Sequence, residues 1–182
     1  MELIKSNQLQ KVLKIFLLVF FGSILLTISA KVKIPFYPVP MTMQTFVVLF
    51  LGLAFGYKVG LATVTLYLLE GILGLPVFSN SPEKGVGLIY FTGPTMGYLI
   101  GFMVAVYLSG FFKFDNNFFK NFGRLLLSVS FIYILGLIWL GSLIGWDKPI
   151  FKLGAQPFLL AELFKISLLA LIVPKILKLR KI

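Results

Sequence analysis

The chain has 182 residues, of which 59% are hydrophobic and 13% charged, and a formal net charge of +11. A mean hydropathy of +1.00, against roughly 45–50% apolar and about 25% charged residues in soluble domains, excludes an ordinary soluble domain and makes the bilayer the solvent. The absence of Cys and His removes disulfides, thiol nucleophiles, imidazole bases and the commonest metal ligands, so neither a cofactor nor a metal site is expected.

A spanning helix needs about 20 predominantly apolar residues. Six segments qualify as helical candidates, giving an all-α, polytopic, multi-pass membrane protein with residues 1–182 as one membrane domain. The first runs over about 12–30. Its basic start (Lys5, Lys11, Lys14) resembles a signal peptide, but the apolar run exceeds the 7–15 residues of a usual h-region, so a retained helix is expected. The second and third, about 42–55 and 60–73, are short for a full crossing. The fourth covers about 94–112, the fifth 122–144 and the sixth 157–177.

The cations set the orientation. With both termini inside, the inner side holds Lys5, Lys11, Lys14, Lys58, Lys113, Lys120, Arg124, Lys175, Lys178, Arg180 and Lys181, eleven in all; the outer side holds Lys31, Lys33, Lys84, Lys148 and Lys152, five in all. The positive-inside rule therefore places both termini in the cytoplasm. The same placement accounts for the net charge through anionic membrane lipid and leaves no basic-aromatic patch on a polar surface for nucleic acid.

The outer connections are then 31–41, 74–93 and 145–156, and they hold most of the Pro. The first reads Ile34-Pro35-Phe36-Tyr37-Pro38-Val39-Pro40-Met41-Thr42-Met43-Gln44-Thr45. Its prolines stiffen the backbone, Thr42 suits a helix N-cap, and Gln44 brings an amide that donates and accepts. A rigid lid with a ligand contact and a stiff connector with an ordinary cap fit these residues equally. The second supplies Phe78, Ser79 and Asn80, then Gly93-Pro94-Thr95, with Thr95, Tyr98 and Phe102 on one helical face. Irregular backbone at a membrane boundary is tolerated where it is buried in protein or lines a cavity, so this stretch is where a ligand is expected; a capped helix start is the plainer reading. In the sixth helix Glu162 and Lys165 are three apart on one face. Ionisable groups inside a membrane are costly and usually paired towards the bundle interior. They form either a polar floor for a ligand or a structural ion pair. Glu70, near the outer end of the third helix, is a weaker candidate that reaches water.

Four ordered segments resemble the BioY family, the biotin-binding S components of energy-coupling factor (ECF) transporters: Pro38-Val39-Pro40-Met41-Thr42-x-Gln44-Thr45; Tyr67 to Phe78, ending Gly74-Leu75-Pro76-Val77-Phe78; Gly93-Pro94-Thr95-x-Gly97-Tyr98-x-x-Gly101-Phe102; and Gly154-x-x-Pro157-Phe158-x-x-x-Glu162-x-x-Lys165. The resemblance covers roughly residues 10–180. Departures are Met96 where the family usually has Gly, Glu162 where it usually has Asp, Ser79-Asn80-Ser81-Pro82-Glu83-Lys84 in place of a Gly-rich loop, and a loosely kept small-residue pattern at Gly22, Ser23 and Thr27. The resemblance implies a six-helix bundle in the plasma membrane of a prokaryote that captures biotin from outside, with a transmembrane T component and two ATPase subunits as partners; homo-oligomers stay open. It also implies a substrate site: Phe36, Phe78 and Tyr98 walling the rings, Glu162, Asn80 and Thr95 meeting the ureido group, and Lys165 or Gln44 meeting an oxygen. The alternatives are an S component for another small vitamin, an intramembrane enzyme, for which a lone Glu-Lys pair without His or Cys is a poor basis, and a structural subunit, which leaves the polar outer motifs idle. No Gly-x-x-x-x-Gly-Lys-Ser/Thr phosphate loop is present, so ATP hydrolysis would belong to another chain.

Overall fold

A computed structural model describes the backbone of residues 2–181 and the side-chain surroundings of residues 8–180. The described residues are mostly helical: α1 (Glu2–Lys31), α2 (Gln44–Ile72), α3 (Met96–Phe111), α4 (Phe118–Ile144), the short α5 (Ile150–Gly154) and α6 (Leu159–Ile176). A two-residue antiparallel ribbon, Lys33–Ile34 with Met41–Thr42, joins α1 to α2, and a 3-10 turn, Gly87–Thr92, precedes α3. Four stretches are long and apolar enough to cross a membrane: Gln8–Lys31, Gln44–Ile72, Phe118–Ile144 and Ile150–Ile176.

The two short helices expected over 42–55 and 60–73 are the two halves of α2, broken at Gly56 by a left-handed backbone (φ 79°, ψ 169°). The chain reverses there. Gly60 abuts Gly52, and Gln44 Nε2 donates to the hydroxyl of Tyr67 at 2.8 Å, so residues 44–55 and 57–72 run antiparallel. Only Gly adopts this backbone without a Cβ penalty, which is why one residue replaces the loop expected there. The missing Cβ atoms of Gly52 and Gly60 let the halves meet each other and α3 at Val106 and Ser109.

The remaining contacts fix the direction of every helix. Ser23 of α1 donates to Glu70 of α2 at 2.9 Å, so Glu70 serves a helix–helix contact. The ring of Tyr98 of α3 fills the space a Cβ of Gly136 in α4 would take. Arg180, just past α6, donates to the carbonyl of Gly110 at the far end of α3. Successive helices therefore alternate in direction, and the start of α1 and the end of α6 lie on the side of the bundle where α2 reverses. The irregular segments 32–43, 73–95 and 145–158 gather at the opposite end. The core between the ends is apolar, built on Leu49, Leu51, Leu125, Ile132, Ile166 and Leu169.

One local expectation is corrected. Thr42 lies in the ribbon and not at the N-cap, which is Met43 with no side-chain cap bond. The Thr42 hydroxyl still accepts the Gln44 N–H at 3.3 Å, because ribbon pairing holds it one residue early.

Candidate substrate-binding site

The irregular segments close over a small cavity of about 50 Å³. Five of the residues singled out in the sequence line it: Gln44, Phe78, Thr95, Tyr98 and Glu162. Between them they represent all four motifs, with Thr95 and Tyr98 from the same one. Gln44 opens α2, Phe78 ends the turn after it, Thr95 is the N-cap of α3 and Tyr98 lies in its first turn. Glu162 is in the first turn of α6.

Three others stand behind the wall. Phe36 is 40% exposed and packs edge-on against Phe158, which does line the cavity, with ring centroids 5.7 Å apart. Asn80 follows the lining residue Ser79; its side-chain oxygen accepts from Lys33 Nζ at 3.3 Å and its backbone N–H donates to the Tyr90 hydroxyl at 3.4 Å. Lys165 gives its three N–H groups to the Thr42 carbonyl (2.7 Å), the Thr45 hydroxyl (3.1 Å) and Glu162 Oε1 (2.7 Å).

That last network is the electrostatic centre of the site. Glu162 and Lys165 are 4% and 6% exposed, so neither charge is solvated and each depends on the other. Thr45 completes a triangle: its hydroxyl accepts from Lys165 and donates to Glu162 Oε1 at 2.7 Å. All of this satisfies one carboxylate oxygen. The other, Oε2, is buried without a hydrogen-bond partner, although Glu162 faces the cavity. A buried unpaired acceptor carries a desolvation cost of about 1–3 kcal/mol, more if charged, and a ligand N–H would relieve it.

The apolar wall is equally built. Phe78 is 1% exposed, stacks on Tyr90 at 4.6 Å and meets Tyr67 edge-on at 5.3 Å. Its ring occupies the volume a side chain on Gly71 would need. The fully buried Tyr67 accepts from Gln44 Nε2 and donates to the Val77 carbonyl at 3.2 Å, so one phenol orients both Gln44 and the turn carrying Phe78. Tyr98 turns its ring to the cavity and its hydroxyl to the Gly154 carbonyl at 2.8 Å, fixing the approach to α6. Lys31 Nζ donates to the carbonyls of Phe78 and Ser81, both at 2.7 Å, and Lys33 Nζ to that of Ser79 at 2.6 Å. These bonds tie the end of α1 to the same turn.

Sequence reasoning did not single out Thr45, Tyr90, Ile132 or Tyr133. Thr45 carried a signal, a hydroxyl one residue past Gln44 inside a quoted motif. Tyr133 carried none, since α4 reads as uniform lipid-soluble helix until its packing against α6 is known.

The matches to known proteins identify the family. The BioY family model matches residues 5–182. A "Biotin transporter BioY" of Thermotoga maritima is 34% identical over 159 residues, covering 85% of this chain and 90% of that protein. A "Probable biotin transporter BioY" of Pyrococcus horikoshii is 30% identical over 152 residues, covering 84% and 89%. Among solved structures, the S-component for biotin from an ECF-type ABC transporter superposes with a TM-score of 0.77 at 26% identity, covering 93% of both chains. With nearly the whole length matched and the four motifs meeting at one cavity, the chain belongs to the BioY family.

Proposed function

We propose that this chain is the substrate-capture subunit of a biotin uptake system, taking biotin from the outer face of a prokaryotic plasma membrane. The observation that carries the reading is the buried Glu162 carboxylate, with one oxygen held by Lys165 and Thr45 and the other unpartnered at an aromatic cavity. Biotin presents ureido N–H donors beside a ureido carbonyl, fused to a compact thioether ring. Oε2 accepts a ureido N–H, the Thr95 hydroxyl and Gln44 amide serve the remaining ureido positions, and Phe78, Tyr98 and Phe158 enclose the bicycle. Phe36 and Asn80 support this wall from behind, and Lys165 acts by orienting Glu162. The relatives named as biotin transporters, and the S-component for biotin, support the same ligand. The chain binds and delivers; it is not an enzyme. A T component and two ATPase subunits are its proposed partners, whereas self-association is left to measurement.

Equilibrium binding to the purified protein tests the ligand. Biotin is expected to saturate one site and desthiobiotin, which keeps the ureido ring, to compete. Lipoate, with a similar acid tail and no ureido N–H, is expected not to compete. Competition by lipoate, or no saturation by biotin, would move the reading to another small vitamin.

Residues 1–182 form, in this reading, one membrane domain with six crossings: α1, the two halves of α2, α3, α4, and α5 with α6. At 1.5 Å per residue the 16-residue α3 reaches only about 24 Å, so it and the halves of α2 cross with help from the outer segments. Both termini are cytoplasmic. Because the chain has no Cys, single cysteines report cleanly. Lys84→Cys, in the exposed outer turn, is expected to react with an impermeant maleimide on intact cells, and Lys178→Cys only after lysis. Labelling of Lys178→Cys from outside would refute the orientation.

A further inference from the structure

The bundle end opposite the cavity holds a second concavity, of about 330 Å³, between α1, the reversal of α2 and the segment after α6. Among the described residues its lining includes the cations Lys11, Lys14 and Arg180 and no carboxylate. On α1 the lining residues form one stripe: Lys11 and Lys14, then Ile15 and Leu18. Positions three and four apart share a helix face, so the groove runs from two ammonium groups at the end of the bundle to an apolar floor nearer its middle. Phe55, at the close of the first half of α2, continues that floor. Arg180 is fixed in place: its guanidinium donates to the Gly110 carbonyl and lies against Gly56, where a Cβ would sit 3.3 Å from Nη2. Beside the groove α1 exposes Leu13, Phe16 and Leu17, apolar surface that the bilayer covers.

We propose that this groove is a binding site for one anionic phospholipid, the phosphate held by Lys11, Lys14 and Arg180 and an acyl chain lying along Ile15, Leu18 and Phe55. Charge and shape carry the assignment. The cations cluster at the depth of a headgroup, and the floor turns apolar in the direction an acyl chain takes. A free phosphate would leave that floor unused, and a zwitterionic headgroup would bring its own cation against three others. The site rests on the reading that this end lies at a membrane boundary, but not on the identity of the ligand at the other end.

Native mass spectrometry of the full chain, released from mixed micelles of phosphatidylglycerol and phosphatidylcholine, tests it. Wild type is expected to retain phosphatidylglycerol preferentially. Each cation removed should lower that preference roughly fivefold, the strength of one Lys near an anionic surface. Lys11→Gln/Lys14→Gln should therefore lower it roughly twenty-five-fold, whereas Lys148→Gln/Lys152→Gln at the opposite end should leave it unchanged. Arg180→Gln also removes the bond to Gly110, so the lysine pair carries the test, and an unchanged melting temperature of that pair in detergent shows that the fold is intact. Inorganic phosphate at millimolar concentration should not displace the lipid. Persistence of the preference in the double lysine variant, displacement by phosphate, or equal retention of both lipids by wild type would overturn the proposal; the last result would leave the groove to a protein partner.

Discussion

Lys165→Ala is expected to abolish biotin retention while the protein still inserts and can be purified in lower yield. The substitution leaves Glu162 buried, 4% exposed, with the Thr45 hydroxyl as its one remaining partner. Breaking a buried pair by removing one member costs about 3–5 kcal/mol. Without the ammonium the carboxylate is no longer held towards the cavity, and the acceptor for a ureido N–H is lost. A loss of at least roughly a hundredfold in affinity follows from about 3 kcal/mol, since each 1.4 kcal/mol is tenfold. A companion variant separates folding from binding. In Glu162→Leu/Lys165→Met both charges are replaced by apolar groups of similar size, an exchange that is often neutral or stabilising by about 1–4 kcal/mol. Thermal stability near or above wild type with no measurable biotin binding is the expected pairing of results. Normal binding by Lys165→Ala would reassign the pair to structure alone.

Phe78→Ala is expected to have the next largest effect. Its ring is enclosed by Tyr67, Tyr90 and Phe91 and packed onto the backbone of Gly71, so truncation leaves a void that the neighbouring helix turn cannot fill. Buried Phe→Ala changes cost about 3–5 kcal/mol, seen here as a lowered melting temperature in detergent. The cavity also loses a wall. Biotin affinity should fall by more than the same protein's affinity for desthiobiotin, because the open ligand has less ring surface to lose. Leu160→Ala, 81% exposed on the outside of α6, is the control and should change neither quantity. An equal loss for both ligands would show that Phe78 supports the fold without contacting the bicycle.

Much of this protein was legible in its sequence because the bilayer is a simple solvent. Apolar runs of helical length, Lys and Arg at their ends, and most of the Pro gathered in one set of connections report on local hydrogen bonding and solvation, which neighbouring residues decide. The same logic picked out Glu162 and Lys165, since two ionisable groups three apart in an apolar helix must be paired, and their bond is 2.7 Å long. It also located Gln44, Phe78, Thr95 and Tyr98, each in or beside an irregular segment that a lipid-facing helix has no use for.

What the tertiary structure decided was how those segments meet. The reversal at Gly56 depends on a left-handed backbone that a sequence containing 17 glycines does not single out. That reversal brings Tyr67 to Gln44 and so sets the orientation of a cavity-lining amide. Thr45 lies 117 positions from Glu162, and Tyr133 reaches the cavity only because α4 packs across α6. Lys165 is turned to the Thr42 carbonyl by the ribbon between α1 and α2, leaving Glu162 Oε2 as the open acceptor. Local sequence determines which residues are too polar or too irregular for lipid. Only packing between distant segments determines which of their atoms remain unpaired, and those unpaired atoms are what a ligand recognises.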